Sequence, residues 1–152
     1  MARIPQRVGW VGFAFAGLSW VILILWVTGL GMFLLPVSEL LDMTVVESMT
    51  RRLCAVTHGV GTWVLCVLCG RGGWPHVLLM WRQRHDRRQW SWGVLNLCVI
   101  VVLALSGLML LYGSAQLHET LALVHWGLGM AAPLPWVIHV WRRWSPPSPE
   151  RG

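Results

Sequence analysis

Charge is scarce in this chain, and lysine is absent from it altogether. Only 12% of the 152 residues are charged while 56% are hydrophobic, against roughly 25% charged in an ordinary globular domain. The four cysteines give no disulfide framework. Cys66-Val67-Leu68-Cys69 has redox-motif spacing, but it lies inside an apolar run without a βαβ context. We read these two, with Cys54 and Cys98, as small hydrophobic packing residues. The absence of Cys-x-x-Cys-His excludes covalent c-type haem, and no nucleophile stands beside an evident base. No unambiguous quinone motif is visible either.

What the chain does have is long apolar runs. They predict helices at about 8–35, 53–81, 92–112 and 121–141, each near or above the ~20 residues needed to cross a bilayer. The expected class is all-α: a polytopic membrane protein whose four transmembrane helices form one bundle built from two hairpins, with a Pro-rich tail at 145–152. The first run follows Arg3 and Arg7 as a signal peptide would. It is longer than an ordinary signal core, and Leu35-Pro36-Val37-Ser38 offers no small-x-small cleavage site, so a retained helix is expected.

Arginine placement gives an orientation. Arg3 and Arg7, then Arg82, Arg84, Arg87 and Arg88, then Arg142, Arg143 and Arg151 fall on one side, and only Arg51 and Arg52 on the other. Both termini are expected in the cytoplasm of a bacterium, the chain lying in its inner membrane. The net charge of +6 is then topological signal, and nucleic-acid binding need not be invoked. Glu39, Asp42, Glu47 and Glu119 make the opposite side mildly acidic, a place for solvated loop charge or for a basic partner. Tryptophans at segment ends, such as Trp81, Trp90, Trp92, Trp141 and Trp144, fit an interfacial belt.

Four histidines interrupt the apolar runs, two on the second helix and two on the fourth. A helix turns ~100° per residue, so His58 and His76 share one azimuth, and His125 and His139 nearly share another. An ionisable group inside a bilayer marks function by default, and imidazole is the usual axial ligand of b-type haem. The second and fourth helices cross in the same direction. His58 is thus expected level with His125, and His76 level with His139, each level offering two ligands for one iron. The two levels stand roughly 21 Å apart by the His125–His139 step, but about 27 Å by the His58–His76 step at ~1.5 Å per residue. Gly70-Arg71-Gly72-Gly73 and Pro75 are where that extra turn is expected to be absorbed. If the second helix instead ends near Cys69, His76 is a surface histidine. In the continuous reading Arg71 is partly buried and suits a haem propionate. His85, among charges, and His118, beside Glu119, are expected at the surface.

The chain also reads as a duplication. Thr28-Gly29-Leu30 on the first helix recurs as Ser106-Gly107-Leu108 on the third, and the second and fourth helices open on His58-Gly59-Val60-Gly61 and His125-Trp126-Gly127-Leu128-Gly129. These glycines serve either to clear a macrocycle or to pack helix on helix.

With Asn96, Ser106-Gly107, His125 and His139 in hand, the stretch from 19 to 144 resembles small four-helix bis-histidine b-type cytochromes, similar to the membrane cytochrome b subunits of bacterial hydrogenases and formate dehydrogenases. The resemblance implies two haems b held by His58, His76, His125 and His139. It also implies electron transfer between a quinone pool and a redox partner, such as a c-type cytochrome or an oxidoreductase subunit. The chain is shorter than the larger members, and its His58–His76 step is a turn too long. From another class, a haem-free membrane anchor or assembly subunit would use such histidines as interhelical glue.

Overall fold

The computed structural model describes residues 12–35, 43–83 and 87–144, and among them it is helical throughout apart from short turns. Four stretches are long and apolar enough to cross a membrane: Phe15–Leu34, Val45–Leu79, Trp90–Tyr112 and Ala115–Trp141. The architecture is all-α and multi-pass. Arg3, Arg7, Glu39, Asp42, Arg84, His85, Arg151 and the Pro-rich tail lie outside the described residues.

The chain divides into two compact units, Met1–Gln83 and Arg84–Gly152, and each contains one hairpin. In the first, α1 (Gly12–Leu34) packs against α2 (Val45–Leu68), which passes through a π-helical turn at Cys69–Gly73 into α3 (Trp74–Gln83). In the second, α4 (Arg87–Tyr112) packs against α5 (His118–Ala131) and α6 (Pro133–Trp144), with a 3₁₀ turn at Ala115–Leu117 leading into α5.

Helix α2 begins well before the apolar run at Leu53, for a local reason. Thr44 caps it through a reciprocal box: its hydroxyl accepts from the Glu47 amide at 3.3 Å, while Glu47 Oε2 accepts from the Thr44 amide at 2.8 Å. Glu47 is therefore a capping group. The turn of this hairpin is tied further by Arg51, whose Nε donates to the Leu35 carbonyl at 2.8 Å, satisfying a carbonyl just past the end of α1.

The last apolar run, expected as one helix, is two. Pro133 and Pro135 lack the amide protons that would continue the ladder, and the chain breaks at Ala132, whose own amide still reaches the Leu128 carbonyl at 2.8 Å. Asn96 on α4 bridges the break. Its side-chain amide donates to Trp92 O on its own helix at 2.8 Å and to Pro135 O on α6 at 3.0 Å.

Little of either hairpin is shielded by protein, as expected where lipid solvates the apolar faces. Leu18 is buried at 5% exposure, and the polar side chains most buried are Thr28 at 9% and Ser106 at 5%. Cys66 and Cys98, expected in the core, are exposed, whereas Cys54 lies against Gly31. None of the four cysteines is in a disulfide.

Candidate functional site

The close approach of α1 to α2 follows from glycine placed opposite bulk. A Cβ at Gly31 would stand 2.8 Å from Cys54 Sγ, and one at Gly61 would stand 3.1 Å from Leu25 Cδ2. Neither position admits a larger residue without displacing a neighbour. Between these two contacts sits His58. Its Nδ1 lies 3.0 Å from Thr28 Oγ1, and a Cβ at Gly29 would stand 3.4 Å from its Cε1. The imidazole edge rests in the notch that the glycine leaves.

The second hairpin repeats this arrangement. His125 Nδ1 lies 2.9 Å from Ser106 Oγ, and a Cβ at Gly107 would stand 3.3 Å from His125 Cε1. One helical turn away Leu103 Cδ2 faces Gly129, as Leu25 faces Gly61 in the first hairpin. The duplication legible in the sequence is thus a duplication of one histidine seat: hydroxyl, glycine, imidazole, then leucine on glycine.

Each hydroxyl also reaches a carbonyl of its own helix. Thr28 Oγ1 donates its single proton to a carbonyl of its own helix, Ile24 O at 2.7 Å, with Leu25 O at 3.2 Å. Ser106 Oγ reaches Leu103 O at 3.2 Å in the same way. With its proton so placed, each oxygen can accept from an Nδ1–H, the arrangement that leaves the lone pair on Nε2. That is the tautomer in which imidazole offers Nε2 to a metal.

Of the other two histidines, His139 on α6 has its own glycine: a Cβ at Gly93 would stand 3.3 Å from His139 Cε1. Gly93 and Gly107 are fourteen residues apart on α4, as His125 and His139 are across α5 and α6. That equality is the sequence signal for Gly93, which periodicity alone passed over. His76 lies on α3, half-buried, and its Nδ1, like that of His139, is a buried atom. Helix α2 does not stop near Cys69. It continues through the π turn, in which the Trp74 amide reaches the Cys69 carbonyl, so His76 stands on a continuous helix.

Arg71, expected to be partly buried, is exposed on that π turn, because a π turn carries the chain off the regular helical azimuth. His118, at the start of α5, is exposed as expected. Gly59 and Gly127 face open space, with nothing within 4 Å of an added Cβ, whereas Gly61 and Gly129 take up leucines. The latter pair is helix packing. Within either hairpin, among the described residues, no three His, Cys, Asp or Glu side chains gather around one point.

No protein-family model, no curated protein and no solved structure matches the chain. The functional reading therefore rests on the residues themselves.

Proposed function

We propose that the chain is a membrane b-type cytochrome that binds two haems and carries electrons between a quinone pool and a redox partner protein, such as a c-type cytochrome or an oxidoreductase subunit. The observation that carries this reading is the repeated seat: three of the four intramembrane histidines, His58, His125 and His139, each rest on a glycine of the facing helix in their own hairpin. An iron porphyrin brings four nitrogens of its own and asks one imidazole of each face. Histidines presented singly, rather than in clusters of three or four, fit that demand and do not fit a bare zinc or copper ion.

Haem, when bound, supplies the one-electron chemistry. The chain supplies the rest. His58 and His125 are proposed to offer Nε2, their Nδ1 atoms lying 3.0 and 2.9 Å from the Thr28 and Ser106 hydroxyls. These two histidines are proposed as ligands of one haem, and His76 and His139 as ligands of the other. The apolar spans keep water from the iron and hold a low dielectric around it. Arg71 is the proposed cation for a propionate. The arginine segregation supports both termini in the cytoplasm, with the chain in a bacterial inner membrane.

One observation favours the haem-free anchor: the Thr28–His58 and Ser106–His125 hydrogen bonds themselves join helices, as polar glue does in membranes. Haem stoichiometry separates the two readings. Protein purified from haem-replete cells is expected to release two haems per chain into acid acetone, since nothing holds them covalently. Protein without haem would leave the anchor reading in place.

A further inference from the structure

The hydroxyls of Thr28 and Ser106 are the most buried polar side chains of the described residues, and each spends its proton on its own helix. A serine or threonine in a membrane helix commonly bonds to the carbonyl a turn back, and these two would be unremarkable for that alone. Their second contact is what sets them apart. In two separate hairpins the oxygen left facing the neighbouring helix meets the Nδ1 of a histidine, at 3.0 Å for His58 and 2.9 Å for His125.

We propose that Thr28 and Ser106 are positioning residues that lock His58 and His125 in the Nδ1–H tautomer, and that through this hydrogen bond they lower the reduction potential of the iron these histidines ligate. The second half rests on the cytochrome reading above; the first half does not. A ring proton shared with an acceptor makes imidazole the more basic ligand, and a more basic axial ligand favours the ferric state. The proposed direction follows from the hydroxyl protons, which the Ile24 and Leu103 carbonyls can take, leaving oxygen lone pairs toward the rings; the Leu103 carbonyl also accepts from His125 itself. Gly29 and Gly107 complete the seat. A methyl at Gly107 would stand 3.3 Å from His125 Cε1, so that the ring must give by a few tenths of an ångström, and one at Gly29 would stand in contact with His58 Cε1 at 3.4 Å.

Two measurements test this on the full-length protein. In the haem-free state, nitrogen NMR of histidine-labelled protein, assigned with His58→Ala and His125→Ala, is expected to report Nδ1–H for both rings. Thr28→Val and Ser106→Ala are each expected to release only their own histidine from that tautomer. Nε2–H in the unsubstituted protein, or tautomers indifferent to the substitutions, would overturn the lock. In the haem-loaded state, redox titration is expected to show one haem moved to higher potential by Thr28→Val or Ser106→Ala and returned by Thr28→Ser or Ser106→Thr, with the other haem unmoved. Potentials that stay in place with haem content intact would overturn the tuning. A chain that takes up no haem at all would instead overturn the cytochrome reading, and the tautomer result would still stand or fall by itself.

Discussion

Replacing His125 by alanine is expected to halve the haem content, leaving the haem proposed to be held by His139. The expected selectivity follows from separation. The two histidines lie on either side of the break at Ala132, and the glycines they rest on, Gly107 and Gly93, are fourteen residues apart on the unbroken α4, roughly 21 Å at ~1.5 Å per residue. At that distance the loss of one ligand does not disturb the packing around the other. His139→Ala is expected to give the mirror result, keeping the haem of His125. Pyridine haemochrome analysis against protein concentration reads both outcomes. If either substitution removed all haem from a protein that still folds, as judged by helical circular dichroism, independent sites would be wrong.

The second large effect is at His76. His76→Ala is expected to leave one haem five-coordinate and high-spin, able to bind carbon monoxide, while the haem of His125 stays low-spin. The helix around His76 makes this a sharp expectation. α2 passes through the π turn at Cys69–Gly73 into α3 without ending, so His76 stays on the same helix as His58. A π turn closes i→i+5 bonds and so holds more residues per turn than an α-helix, which lets eighteen residues from His58 climb less far than a straight α-helix would carry them. Such turns inside membrane helices tend to sit at functional positions. An optical spectrum of His76→Ala unchanged in both haems would move that ligand elsewhere.

The class of the fold was legible because four runs of apolar residues have few alternatives: backbone groups in lipid must pair internally, and helices do so locally. The boundaries were less so. The start of α2 depends on the Thr44–Glu47 box, eight positions before the hydropathy rises at Leu53, and a capping pair leaves no mark on hydropathy. The split at Ala132 was written in Pro133 and Pro135, but prolines inside membrane helices are often bridged, and here the bridge is Asn96. Among the candidate site residues, the histidines stood out by being polar in apolar runs. Thr28 and Ser106 were visible as a repeated hydroxyl–glycine step without a purpose, since only the antiparallel packing of each hairpin brings them to His58 and His125. Gly93 needed the matched fourteen-residue steps to be noticed. The first hairpin has no such match. Phe15 stands fourteen residues before Gly29, where the second hairpin has its glycine, and this difference accompanies the longer His58–His76 step.

Bis-histidine ligation is the central claim, and the visible spectrum of the purified protein tests it most directly. Oxidised and then dithionite-reduced samples are expected to show the sharp absorption bands of low-spin b-type haem, and carbon monoxide added to the reduced protein is expected to leave them in place, because two histidines would hold each iron in the proposed arrangement. A colourless protein, or reduced bands that shift fully under carbon monoxide, would contradict the account.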